Sequence, residues 1–242
     1  MKDKYTGDIG DFAKIILLNE LASLKDITLG INWYYNNRVY SYEKNQEDGK
    51  YIQYLMNDKK GLKKYEPDLY QNLLEIVQRD ERKIKNLFGL IHTDTNYHFD
   101  DEVPNKSNRA QWIEDSLHKL SPTNLIFLDP DNGISYNDTN GNAKHVLQSE
   151  IEQIFEAGKS VVIYNHSDRQ RREYYFGKFT TIAKKLCLKS TKIFILRASL
   201  FSARDYVFFL HEGIQTAVEE KLIYIEKQYP NLFKLLVIPS SN

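Results

Sequence analysis

Short, unbroken apolar runs recur along this chain, and amphipathic helical stretches separate them. ITLGINWYY (27–35), NLIFL (124–128), KSVVIY (159–164), KIFIL (192–196) and YVFFL (206–210) each read as a strand too apolar to have a wet face. Strands buried on both sides belong to mostly parallel sheets with helices on both faces. The expected fold class is therefore α/β, Rossmann-like. KIFILRAS and RDYVFFLHE, joined by a short link, predict an antiparallel pair at one edge.

The 242 residues suit one domain over 1–242. Helices are expected at 10–24, with Asp11 near the N-cap, at 109–120, over KHVLQSEIEQIFEAG closed by Gly158, over DRQRREYYFGKFTTIAKKL, and over GIQTAVEEKLIYIEKQ. GKYIQYLMN and DLYQNLLEIVQRDERKIKNL also read as helices, so 44–88 is expected to be a helical insertion. LFGLIHTD (87–94) reads as a short strand and LFKLLVI as a last one.

Composition removes several classes. Lys plus Arg and Asp plus Glu both number 33, so the formal net charge is zero and a general nucleic-acid coat protein is excluded. The apolar runs are too short to cross a bilayer. One cysteine, Cys187, permits neither an internal disulfide nor a Cys-rich zinc site, and points to the cytoplasm. Phosphate-loop, GxGxxG, nucleophile-elbow and HxxxH or CxxC patterns are absent from the sequence.

Ligands of open parallel sheets bind at the carboxyl ends of the strands. LIFLDPDNG delivers Asp129, Asp131 and Asn132 just past a buried strand, and VVIYNHSDR delivers His166 past another. The carboxylates Asp8, Asp11, Asp129 and Asp131 could hold Mg²⁺ or Mn²⁺ for phosphodiester cleavage, for instance in defence against phage DNA. His166 could act as a base. Arg169, Arg171 and Arg172 could clamp nucleic-acid phosphates. A non-catalytic nucleic-acid-binding module is the third reading.

GDIGDFAK places Gly7, Asp11 and Lys14 in the pattern G-x-x-x-D-x-x-K ahead of the first strand, with a helical segment after that strand. FLDPDNG then stands where a D-P-P-aromatic turn would, and VVIYNHSDR where a W-Y-P-like run with a nearby Arg would. In this order of features the chain resembles the bacterial large-subunit ribosomal RNA adenine-N6 methyltransferase J family. It is also similar to a bacterial group carrying GDIGDFGK near the start and FLDPDNG centrally. The resemblance implies a class I methyltransferase-type sheet and S-adenosylmethionine as cofactor, with Gly7, Asp11 and Lys14 lining its pocket. It also implies methyl transfer to a nucleic-acid adenine, with Asp129 accepting a hydrogen bond from the target amine; Asp131, Asn132 and His166, at the same two strand ends, are the other catalytic candidates. Asp131 and Asn132 depart from the family's second proline and aromatic, and WYYNNR replaces the glycine-rich cofactor loop after the first strand.

Overall fold

The computed structural model describes residues 1–38, 51–92, 97–135, 138, 142–167, 171–188, 192–200 and 203–238. In chain order the elements are α1 (Ile9–Ala22), β1 (Leu29–Asn32), α2 (Gln53–Met56), α3 (Pro67–Gln78), α4 (Lys85–Phe88), β2 (Tyr97–Phe99) and α5 (Arg109–Lys119). There follow β3 (Leu125–Leu128), β4 (Gly133–Ser135), β5 (His145–Leu147), α6 (Gln148–Glu156), β6 (Ser160–His166) and α7 (Arg172–Lys185). β7 (Ile193–Ala198), β8 (Arg204–Phe209), α8 (Glu212–Gln228) and β9 (Phe233–Ile238) complete the chain.

Seven strands form one sheet in the order β2-β1-β3-β6-β8-β7-β9. β2, β1, β3 and β6 pair in parallel, whereas β8 runs antiparallel to both β6 and β7, and β9 antiparallel to β7. The fold is α/β and Rossmann-like, with its antiparallel pairing gathered at one end. Strands β1, β3 and β6 lie side by side, as their apolar character predicts.

Alternation along each strand feeds two cores. Leu125 and Phe127 face α1, α3 and α8, while Ile126 and Leu128 face α5, α6 and α7. Tyr206 and Phe208 against Val207 and Phe209 repeat the division on β8. Helix α1 is buried nearly all round because it lies under the sheet and is itself covered by α3 and α8. The helical segment after β1 is thus part of the core: Tyr54, Leu69, Tyr70 and Leu73 pack in the same cluster as α1.

Two expectations fail locally. LFGLIHTD is not a strand through its described residues; α4 ends at Phe88 and a turn follows, and the paired strand is the later Tyr97–Phe99. KHVLQSEIEQIFEAG is not one helix, because His145–Leu147 pairs with Gly133–Ser135 in a separate two-stranded ribbon. No helix among the described residues is long and apolar enough to cross a membrane.

Candidate functional site

Strand β3 is followed at once by Asp129, which is 1% exposed. Lys14 reaches it from α1: Lys14 Nζ donates to Asp129 Oδ2 and to Asp11 Oδ1, each at 2.8 Å. Asp11 Oδ2 also accepts from the Gly7 amide at 2.9 Å. Buried charges persist when they are paired and hydrogen-bonded, and these are. Burial pushes the Asp129 carboxyl up from its ordinary range, and the Lys14 ammonium and the chain's amino group pull it back. Burial works against the Lys14 charge, but Asp11 and Asp129 outweigh it and lift that ammonium well above its ordinary value.

Beyond Asp129 the chain turns sharply. Gly133 has φ of 94°, and a Cβ there would lie 2.1 Å from Asn165 Oδ1. The turn is pinned to β6 because the Ile134 amide donates to that same oxygen at 2.9 Å. Asp131 is thereby turned inward, with its side chain 3% exposed and Oδ1 2.9 Å from the Met1 amino group. That amino group donates to Tyr34 O at 2.9 Å and Asp129 O at 3.1 Å, which joins the ends of β1 and β3.

The far wall comes from β6 and β8. Register places His166 opposite Arg204 and Tyr164 opposite Tyr206. Arg204 Nε donates to the Tyr164 hydroxyl at 2.8 Å, and the Lys14 ammonium lies 5.4 Å from the Tyr164 ring centroid. Burial and the Arg204 charge hold the His166 imidazole down at about 4, so it is neutral at pH 7. Asp8 caps α1, accepting from the amides of Gly10 and Asp11 at 2.8 and 3.2 Å. Burial and the Asp11 charge raise its carboxyl to about 7.

These residues enclose a cleft of roughly 200 Å³ lined by Met1, Tyr5, Asp8, Asp11, Lys14, Tyr51, Asp129, Asp131, Asn132, Tyr164, His166 and Arg204 among others. The N-terminal polar segment and the two strand ends thus converge on one crevice, although Lys14 and Asp129 are 115 residues apart. Met1, Tyr164 and Arg204 are members that residue patterns did not suggest. A tyrosine inside an apolar strand and an arginine at a strand start carry no signature until register brings them together.

Other assignments change. Asp8, rather than Asp11, is the α1 N-cap. Gly7 does not line the cleft; its φ is 83°, and a Cβ there would meet Val77 at 2.7 Å, so packing and turn geometry require it. The four aspartates do not form a metal centre. Asp8 faces helix amides, Asp11 and Asp129 share the Lys14 ammonium, and Asp131 faces the amino group. Among the described residues no three His, Cys, Asp or Glu side chains are placed to hold a metal ion. Arg171 and Arg172 stand exposed at the start of α7, beyond the end of β6, while Arg169 lies outside the described residues.

S-adenosylmethionine needs open backbone after β1, where this chain has Trp33 and Tyr34, both 0% exposed. Trp33 stacks on Phe88 with centroids 5.4 Å apart and hydrogen-bonds His98 at 3.1 Å, on the α1 side of the sheet. Tyr34 packs edge-on against Trp112 on the other side, and its hydroxyl bonds Glu150. Tyr34 itself takes the left-handed φ of 44° that a glycine would ordinarily supply. Lys14, assigned to that cofactor, is saturated by two carboxylates. The residues present do not fit the cofactor, and no step is derived through it.

No protein-family model matches the chain, and no curated protein matches it. Among solved structures it is similar to protein LPL1258 from Legionella pneumophila str. Philadelphia 1, family model DUF519. The TM-score is 0.45 at 12% identity, covering 98% of each chain.

Proposed function

We propose that this protein is a methyltransferase-fold enzyme acting on nucleic acid. A single base enters the cleft above β3 and β6, and Asp129 meets its exocyclic amine. The observation that carries this reading is the placement of Asp129. It is a desolvated carboxylate at the carboxyl end of a central strand, fixed by Lys14 and facing a cleft the size of a small ring system. Strongly perturbed titratable groups gathered in one cleft are the mark of a working site. Asp8, at about 7, sits where a proton can be given or taken near neutral pH. The exposed Arg171 and Arg172, with Tyr174 at 74% exposure, supply charge and a stacking face for a strand crossing the rim.

The test is intact-mass measurement of single-stranded DNA and RNA oligonucleotides after incubation with the protein, with and without S-adenosylmethionine as methyl donor. A base-directed enzyme changes the mass at one base type, and Asp129→Asn abolishes that change. Cleaved oligonucleotides would establish a nuclease instead. Bound but unaltered oligonucleotides would establish a binding module.

A further inference from the structure

The amide of Asn165, which pins the turn after β3, is used at every position. Its Oδ1 accepts from the Ile134 amide at 2.9 Å, while Nδ2 donates to His166 O at 3.0 Å and to the Tyr175 hydroxyl at 2.9 Å. Turned the other way, the side chain would set Nδ2 against the Ile134 N–H, donor against donor, and the hold on the turn would be lost. The hydroxyl is ordered in its turn. Tyr175 gives its one proton to Asp205 Oδ2 at 2.7 Å, so toward Asn165 it can only accept. Asp205 is 0% exposed and accepts at both oxygens from Arg197, from Nε at 2.7 Å and from Nη2 at 2.8 Å. Charge-assisted bonds of this forked kind are the strong ones.

Four side chains from four elements thus form one directed chain: Arg197 from β7, Asp205 from β8, Tyr175 from α7 and Asn165 from β6. Strand register makes Asp205 the cross-strand partner of both Arg197 and Asn165. Asn165 and Tyr175 are 2% and 3% exposed, so water has little access to replace either partner. The chain ends on the turn that carries Asp131 and Asn132 into the cleft wall, yet Tyr175 itself does not line the cleft. Its amide donates to Arg171 O at 3.1 Å, which sets the hydroxyl one helical turn beyond the exposed arginines of the rim.

We propose that Tyr175 is a positioning residue for the base. Its hydroxyl, oriented by the Arg197–Asp205 pair, fixes the Asn165 amide and so holds the turn that presents Asp131 and Asn132. It acts on the ligand only through Asn165. This rests on the base-binding reading of the cleft.

Two measurements on the full chain test this. Amide hydrogen exchange, followed by NMR on nitrogen-15-labelled protein, reads the turn at Ile134 whatever the cleft binds. Fluorescence anisotropy reads the cleft, with short single strands carrying one adenine, cytosine, guanine or thymine among abasic sites and with a fully abasic strand. Tyr175→Phe keeps the ring that packs edge-on against Phe179 at 4.9 Å and removes only the hydroxyl. Exchange at Ile134 should quicken about tenfold, while amides within β3 and β8 keep their protection. The tightest base-bearing strand should weaken about three- to tenfold, and the abasic strand should bind as before. In an Asn165→Ala background the same substitution should change neither reading further. Unaltered exchange at Ile134 in Tyr175→Phe would overturn the proposal, as would an equal loss of protection across the whole sheet. Faster exchange at Ile134 with the base-bearing strand bound as tightly as by the parent would also overturn it. So would a further, additive loss in the Asn165→Ala background, because Tyr175 would then act by another route. A parent protein that binds the abasic strand as tightly as any other would remove the base-binding reading and the role built on it, while exchange at Ile134 still decides whether Tyr175 holds the turn.

Discussion

Lys14 shares its one positive charge between two buried carboxylates, Asp11 and Asp129. It is 3% exposed, with the Trp33 and Tyr164 rings at 5.8 and 5.4 Å. Replacing it with methionine keeps the length of the stem but strands Asp11 and Asp129 without their cation. Removing one member of a buried ion group costs about 3–5 kcal/mol. Urea denaturation of Lys14→Met at pH 7 should show a loss of that order. Much of it should return at low pH, as the stranded carboxyls take up protons. A variant as stable as the parent at pH 7 would mean the pairing is worth little.

At the level of single elements, the start of α1 and the turn after β3 set the geometry of the cleft. Folding raises the Asp8 carboxyl from 3.8 to about 7, so the native state holds that proton more tightly than the unfolded chain. Its contribution is full below the unfolded value and is lost as pH climbs through about 7. Asparagine caps a helix as well as aspartate does and carries no charge to desolvate. Asp8→Asn should therefore stabilise the protein at pH 8 by about 1–2 kcal/mol, or roughly 2–8 °C in melting temperature, with the advantage shrinking below pH 7 and gone by about pH 4. An advantage equal at both pH values would remove the titration from the explanation. The turn is less forgiving. Gly133→Ala places a methyl 2.1 Å from Asn165 Oδ1 and 2.9 Å from Asn165 Cα, at a φ of 94°. Positive φ alone costs about 1–2 kcal/mol, and the clash adds to it. Thermal melts should show a loss above about 3 kcal/mol, together with weaker oligonucleotide binding because Asp131 shifts with the turn.

These elements also show where sequence patterns carry information. The strands β3, β6, β7 and β8 are legible because burial on both faces leaves unbroken apolar runs. Residues 87–92 mislead because Leu87 and Ile91 are equally buried while the backbone turns, and apolarity reports burial rather than conformation. β4 and β5 are hidden because three-residue strands have no period to detect.

On the scale of the whole molecule, the convergence of GDIGDFAK with the DPDNG turn is legible from their order in the chain. The Trp33 and Tyr34 packing that closes the β1 end is foreshadowed only by a missing glycine. Balanced charge has its own consequence. With a net charge of zero, attraction to a phosphate backbone must be local, and few phosphates can be engaged. The logarithm of single-strand affinity should fall with the logarithm of salt at a shallow slope, flattened by about 0.7 for each of Arg171 and Arg172 replaced by alanine. An unchanged slope in both variants would exclude them from the phosphate path.

The site is also assembled from pieces that leave the ribosome at very different times. Asp8, Asp11 and Lys14 come first, Asp129 and Asp131 in the middle, and Arg204 and Tyr206 late. Because β8 lies inside the sheet, between β6 and β7, the wall it provides cannot form before it is made. On the base-binding reading proposed above, the cleft is thereby incomplete while the nascent chain is still beside messenger and ribosomal RNA. Ribosome-bound chains halted ahead of Arg204 should show no base-dependent oligonucleotide binding, and released full-length chains should gain it. Binding by the halted chains would show that the cleft works without its β8 wall.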